Sequence, residues 1–348
     1  MKPVANITLT RGKHPMTPDL SVVIISRNEE GTIEQCIESV LGETRHPGEV
    51  ILVDSASTDT TLAIARRFPI TVVQLERGSL LSPSAGRYIG TRYCSGEFIF
   101  YIDGDMVVCP GWLGQALEAF RDQRLGGIAG RLYWVFPGEE LHMHSPDHLP
   151  VGSLEALGGA AIYRRSILEK SGTFNPFLLG EEERELGYRI RREDADLLRI
   201  DSPMAYHLAK PRTQSEIDEK AKYFTGVGQI LRAYGVQRIS WDVIREQRVE
   251  FAWFGGLALL LLLIPLLLSL RNYEALLWLL CLLFAGIGLL VGVKGWKTVL
   301  LYFRGVFFSG RNVIRGFRRG LPPATEYTNY STHTVIQRAS PHPHEDRA

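Results

Sequence analysis

An α/β fold, with a mixed, mostly parallel sheet flanked by helices, is predicted by three observations. Apolar, β-branched runs recur between residues 20 and 102; each ends in a polar turn; and the turns lead into segments of helical spacing. Strands covered on both faces read as continuous apolar runs, which is the pattern here. Composition bounds the rest. The 348 residues carry 39 Lys and Arg against 38 Asp and Glu, a net charge of +1 that excludes a basic nucleic-acid binder and a highly charged disordered chain. Cys36, Cys94, Cys109 and Cys281 have no C-x-x-C spacing, so neither a zinc site nor a disulfide framework is expected.

Residues 1–19 show little pattern and are expected to be a flexible lead-in. They are not followed by a signal-peptide core, because the apolar run 20–26 is short and stops at Arg27-Asn28-Glu29-Glu30. Ser21-Val22-Val23-Ile24-Ile25 reads as the first strand, and Ile33, Ile37 and Val40 set the period of a helix over 32–41. Strands at 49–53, 71–75 and 97–102 alternate with helices at 61–68 and 83–94. Beyond residue 112 the pattern is mixed, with helices at 114–121 and 182–192 and a glycine-rich turn at Gly158-Gly159. This globular unit is expected to span 20–212, followed by a helical connector over 213–250 and, at 321–348, a polar disordered tail.

Two apolar runs, 251–270 and 275–293, contain no Asp, Glu, Lys or Arg, and each is long enough to cross a bilayer. Only Arg271-Asn272-Tyr273-Glu274 separates them, so they predict a transmembrane hairpin over 251–293. A pair of buried core helices is the alternative, but too little chain remains to cover both runs. Basic residues precede and follow the hairpin while its turn holds only Arg271, which places both termini and the globular unit in the cytoplasm, at the inner (plasma) membrane. Over 294–320, apolar Trp296, Val299, Phe303, Val306, Ile314 and Phe317 keep a helical period beside Lys297, Arg304, Arg311, Arg315 and Arg318. That predicts a basic interfacial helix against membrane lipids. Gly305, Gly310 and Gly316 leave a short buried helix or a loop as the alternative.

Asp103-Gly104-Asp105 closes an apolar strand, where two carboxylates flanking a glycine can approach one divalent cation. Hard oxygen ligands select Mg2+ or Mn2+, which would act on a leaving diphosphate. Taken alone, such a triplet is more often only a turn. Asp54 ends another strand and can meet a base or ribose or cap the next helix, a role also open to Asp59. Together with Ser21 to Glu30, Val53 to Asp59, Ala85-Gly86-Arg87 and Glu182-Glu183-Arg184-Glu185-Leu186, these residues resemble the family 2 inverting glycosyltransferases of the Rossmann-like GT-A fold, over about residues 20–210.

The resemblance implies that Glu29 and Asp54 hold the nucleobase and ribose, that Arg87 lies near the nucleotide with Asp103 and Gly104, and that Asp105 binds the metal. It implies a catalytic base at Glu183, or at Glu182 in the other register, taking a proton from an acceptor hydroxyl. A solvated acidic helix start is the bland reading of that cluster. His207 is a second candidate metal ligand, whereas His142, His144 and His148 read as an acceptor-side loop. Gln229-Ile230-Leu231-Arg232 is similar to part of a polymer-synthase motif, with Ala233 where a tryptophan is usual. The chain is thus expected to be a membrane-anchored glycosyltransferase using a UDP- or GDP-linked donor and a lipid-linked acceptor. A non-catalytic nucleotide-sugar-binding scaffold is the alternative.

Overall fold

A computed structural model of the chain describes residues 20–43, 47–77, 80–136, 150–208, 223–281, 296–322, 330 and 333–339. The strands are β1 (Leu20–Ser26), β2 (Glu49–Asp54), β3 (Thr71–Leu75), β4 (Phe98–Asp103), β5 (Met106–Val108), β6 (Leu125–Val135), β7 (Gly152–Ser153), β8 (Ala161–Arg164), β9 (Asp196–Leu208) and β10 (His333–Gln337). They form one sheet in the order β10-β3-β2-β1-β4-β8-β6-β9-β5, with β7 beside β9. Helices α1 (Ile33–Leu41), α2 (Thr61–Ala65), α3 (Pro83–Thr91), α4 (Trp112–Ala119), α5 (Arg165–Ser171) and α6 (Glu182–Arg191) connect and flank it.

The first half of the sheet is parallel, as expected, and all seven residues of the central β1 are buried. The second half is not: β8 runs antiparallel to both β4 and β6, while β6 and β9 are parallel. The long strands β6 and β9 escape the apolar-run pattern. Glycines interrupt β6 because its neighbours approach closely: a methyl on Gly127 would lie 2.8 Å from Tyr163 Cδ1, and one on Gly130 2.6 Å from Ser202 O. Helix α3 starts with Ser82 Oγ accepting from Ala85 N at 3.1 Å and Pro83 in its first turn. Buried Glu43 accepts from Gly111 N at 2.7 Å and Leu113 N at 3.1 Å, satisfying the start of α4.

The expectation of a disordered tail is corrected in part. Residues 333–337 add β10 antiparallel to the edge strand β3. Gln337 Nε2 donates to Phe68 O at 2.7 Å and Tyr93 Oη lies 2.8 Å from His333 Nε2. An edge strand is a template for any extended segment, and the alternating His333-Thr334-Val335-Ile336-Gln337 suits it without being apolar enough to be read as core.

The connector is helical, as α7 (Phe224–Tyr234) and α8 (Arg238–Glu246). The first apolar run is helical as α9 (Arg248–Ser269), containing Pro265, and residues 273–281 are helical after a turn. Residues 282–295, most of the second run, lie outside the described residues. Among the described residues no helix is long and apolar enough to cross a membrane.

Helix α10 (Trp296–Arg319) corrects the purely interfacial reading of 294–320. Its carboxyl half packs against α7 through glycines: a methyl on Gly228 would lie 1.9 Å from Val313 O, and one on Gly316 1.9 Å from Thr225 O. Buried Gln229, the start of the Gln-x-x-Arg sequence, serves this contact. Its Nε2 donates to Gly320 O at 3.0 Å and to Phe177 O at 2.9 Å, its Oε1 accepts from Leu179 N at 3.0 Å, and Arg232 Nη1 donates to Phe317 O at 3.0 Å. We expect Gly228→Ala to lower unfolding free energy by about 1–3 kcal/mol in chemical denaturation, through overpacking against backbone. Gly114→Ala, whose methyl meets nothing within 4 Å, should not lower it.

Candidate active site

Three parallel strands end together. The register sets Ser26 against Asp54 and Ile25 against Asp103, so Asp54 and Asp103 stand at one end of the sheet, two strands and about 10 Å apart. Because β8 runs antiparallel to β4, with Tyr101 opposite Ala161, the chain entering β8 lies where β4 leaves. Gly159 is there and packs closely: a methyl would be 2.9 Å from both Arg87 Nη2 and Asp103 Oδ2, so one of those side chains would have to shift.

Arg87 joins these pieces. Gly86 and Gly90 let α3 lie against Ile25 and Val23 of β1, and the Arg87 side chain, 2% exposed, points along the strand ends. Nη1 donates to Glu182 Oε1 at 2.9 Å and is 3.1 Å from Glu183 Oε1. Nη2 donates to Asp103 Oδ1 at 2.9 Å and to Gly159 O at 3.3 Å. The guanidinium carbon lies 5.4 Å from the centre of the Phe174 ring. One buried cation therefore holds three carboxylates from two distant parts of the chain.

The acidic helix start is turned toward Arg87 by Glu181, which adopts φ 61° and pairs through Oε2 with Arg184 Nε at 2.8 Å. Glu182 is 1% exposed and Glu183 19%. Burial pushes the Glu182 carboxyl up to about 8; the neighbouring Glu183 charge adds to this and Arg87 opposes it. Burial likewise raises Asp103 to about 6, against Arg87 and with Asp105. The two candidate bases differ in exposure: both pair with Arg87 Nη1, but Glu182 is buried and Glu183 is partly open. Further along α6, Glu185 Oε2 accepts from Arg189 Nη2 at 2.7 Å and Tyr234 Oη donates to Glu185, anchoring the helix on α7.

Asp105 lies just past β4 and meets β9. Its Oδ2 is 3.0 Å from His207 Nε2, while Oδ1 is buried without a hydrogen-bond partner among the described residues. No group of three or more His, Cys, Asp or Glu able to hold a metal occurs among the described residues. Two protein ligands are nonetheless what Mg2+ or Mn2+ takes when substrate phosphates and water complete its shell. Adjacent octahedral ligands at about 2.1 Å from such an ion are about 3 Å apart, the spacing seen here. An orphaned buried oxygen beside that pair makes the residues fit a divalent cation.

Asp54 is fully buried. Its Oδ2 accepts from Ser57 N and Gln74 Nε2, each at 3.0 Å, and Oδ1 from Ser57 Oγ. It thereby shapes the turn 55–58, in which Ser57 Oγ accepts from Asn28 N at 2.9 Å and Asn28 Oδ1 from Thr58 N at 2.9 Å. Asn28 and Ala56 both take left-handed φ, 57° and 56°. Asp59, not Asp54, meets the start of α2, accepting from Thr61 N at 3.0 Å. Glu29 is half-buried beside this turn, and its Oε2 accepts from Thr32 Oγ1 at 3.0 Å.

The structure joins Arg87, Asp103, Glu182 and Glu183 and pairs Asp105 with His207, with Asp54 two strands from Asp103 at the same end of the sheet. Gly104 is the tight point of its turn, a methyl there lying 3.0 Å from Ser26 Cβ and 3.3 Å from Ile25 O. His142, His144 and His148 lie outside the described residues. Sequence reasoning missed the contacts of Gly159, signalled by the Gly158-Gly159 pair, and the structural use of Gln229.

Two measurements check this electrostatics. Arg87→Met leaves buried carboxylates without their cation and should cost about 3–5 kcal/mol of stability. Glu182 titrates higher folded than its ordinary 4.5, so the native state binds the extra proton and stability falls as pH rises from about 4.5 to about 8. Glu182→Gln should flatten that fall, read as melting temperature against pH.

Residues 21–172 match the family Glycosyl transferase family 2. Poly(ribitol-phosphate) beta-N-acetylglucosaminyltransferase TarS of Staphylococcus aureus is 24% identical over 239 residues, 64% of this chain and 41% of that protein. Glycosyltransferase AglE of Haloferax volcanii is 28% identical over 125 residues, 34% of this chain and 41% of that protein. The chain therefore spans about two fifths of the length of these relatives. Among solved structures, mannosyltransferase PcManGT from Pyrobaculum calidifontis, in complex with GDP-Man and Mn2+, is similar at a TM-score of 0.56 and 16% identity, covering 86% of this chain and 88% of that one. TarS 1-349 in complex with UDP-GlcNAc follows at 0.51 and 18%, covering 65% and 71%. These likenesses show the fold.

Proposed function

We propose, from a chain whose residues 21–172 carry a family 2 glycosyltransferase domain, that the protein transfers a sugar with inversion from a UDP- or GDP-linked donor to an acceptor hydroxyl. The observation that carries this reading is the buried Arg87 joining Asp103, Glu182 and Glu183 beside the Asp105–His207 pair.

Glu183, the outward carboxylate of the pair, takes the proton of the acceptor hydroxyl as that oxygen attacks the anomeric carbon. The new carbon–oxygen bond forms as the bond to the diphosphate oxygen breaks, and the nucleoside diphosphate leaves with the electron pair. Arg87 fixes where Glu183 stands, through Nη1. Asp105 and His207 would hold Mg2+ or Mn2+, which when bound supplies charge neutralisation for the departing diphosphate. Glu29 and the turn shaped by Asp54 receive the base and ribose, with Asp103 and Gly104 lining the diphosphate side. TarS and PcManGT, whose complexes hold UDP-GlcNAc and GDP-Man with Mn2+, support a nucleotide-sugar donor and metal dependence.

Exposed leucines support a membrane location. Leu259, Leu261, Leu262, Leu266, Leu268 and Leu270 all face outward from α9 and its end, Leu262 at 71%, a larger apolar surface than an isolated chain leaves in water. With the second apolar run, α9 anchors the protein in the inner membrane, both termini cytoplasmic, and brings the site to a lipid-linked acceptor.

Calorimetry of UDP and GDP, each with and without Mn2+, tests the donor reading: one nucleotide should bind only with the metal, and binding of neither overturns it. Glu183→Gln should lower kcat by about 100- to 10,000-fold with donor affinity unchanged, in single-turnover transfer assays. Leu262→Glu with Leu266→Glu should move the full-length chain out of the membrane fraction by about tenfold or more, each charge opposing insertion by about 2.5–3.5 kcal/mol.

A further inference from the structure

At the carboxyl end of β6, Trp134 lies opposite His207 of β9 in the parallel register. The two rings stack, with centroids 4.1 Å apart and planes 34° apart. At its tip, the same imidazole places Nε2 3.0 Å from Asp105 Oδ2. Trp134 remains 38% exposed, so core burial alone does not account for so large a ring at this position.

We propose that Trp134 is a positioning residue for His207, holding the imidazole plane so that Nε2 stays directed at Asp105, whose Oδ1 has no hydrogen-bond partner among the described residues. The proposal rests on the reading of Asp105 and His207 as the cation-holding pair. The terminal torsion of a histidine is broad and nearly two-fold, so an unstacked ring turns its nitrogen away at little cost. Stacking removes that freedom before the cation arrives. The indole face also favours the positive charge that an imidazole acquires when it shares its lone pair with a cation. Backbone register makes the grip specific: β5 pairs Met106 with His207 while β6 pairs Trp134 with the same residue, so His207 is flanked on both sides by strands that hold its partners.

The test is Mn2+ alone titrated onto the full-length chain, with free ion counted by its paramagnetic resonance, for wild type, W134L, W134F, H207A and W134L/H207A. Contacts that orient a metal-binding histidine are typically worth about 10- to 100-fold in metal affinity. W134L should bind Mn2+ about tenfold more weakly, and W134F, which keeps an aromatic face, should restore most of that loss. The double variant should be no weaker than H207A, because Trp134 acts through the imidazole and the two losses are not independent. Wild-type affinity in W134L, or a double variant that loses both increments, overturns the proposal. Unchanged Mn2+ binding in H207A overturns the cation-site reading beneath it as well, and so tells the two failures apart.

Discussion

The placement of a single buried guanidinium organises this molecule. Arg87 leaves α3, which can approach β1 only because Gly86 and Gly90 present no side chain, and reaches Asp103, Gly159, Glu182 and Glu183 at once. A lysine could not do this, because a compact ammonium lacks the planar fork that serves carboxylates on two sides. The cost of burying the charge is offset by anions that are themselves costly to bury, so neither side of the arrangement is stable without the other. The acidic helix start and the close approach of Gly159 to Arg87 and Asp103 both meet at this one ion cluster.

Behind the cluster stands a second lock of a different kind. The backbone from Phe177 to Gly180 leads into Glu181, and it is held by Gln229 of α7 and by the contact of Gly180 with Gly226, where a methyl would lie 2.1 Å from Gly180 O. Helix α7 in turn packs on α10, whose end is tied by Gln229 and Arg232. The acidic residues are thus fixed from the front by charge and from behind by close helix packing. That packing continues through α8 to α9, whose leucines stay exposed.

What could be read in advance follows from which interactions are local. Strand ends at Asp54 and Asp103 were legible because apolar runs and polar turns are properties of neighbouring residues. The outward role of Glu183 against Glu182 was left open by sequence, since it depends on a left-handed Glu181 and on an arginine 95 positions away. Arg87 was found by its motif, and the folded geometry adds its contacts with Asp103, Glu182 and Glu183. Strands β6 and β9 were hidden by glycines, Arg199, Asp201 and Pro203, whose presence reflects close approach and edge geometry rather than apolar burial. Gln229 had the form of a substrate-binding motif, yet its three polar contacts all go to backbone. Strand β10 was invisible because its partner β3 is more than 250 residues earlier.

Charge gives the strongest reason to treat the strand ends as one site rather than as several structural acids. Asp103, Asp105, Glu182 and Glu183 face Arg87 and His207, and Arg87 is already shared among three of the four. Burial relieves part of the excess by raising Glu182 to about 8 and Asp103 to about 6, so protons are the first counterions. The Oδ1 of Asp105 is buried and unpartnered among the described residues, which is costly unless something positive arrives. A nucleoside diphosphate alone would add negative charge to an acidic site and be repelled. On the proposed function, a diphosphate carrying a divalent cation would supply what Asp105 lacks and be held by it, the acidity that disfavours a bare nucleotide favouring the metal-bound one.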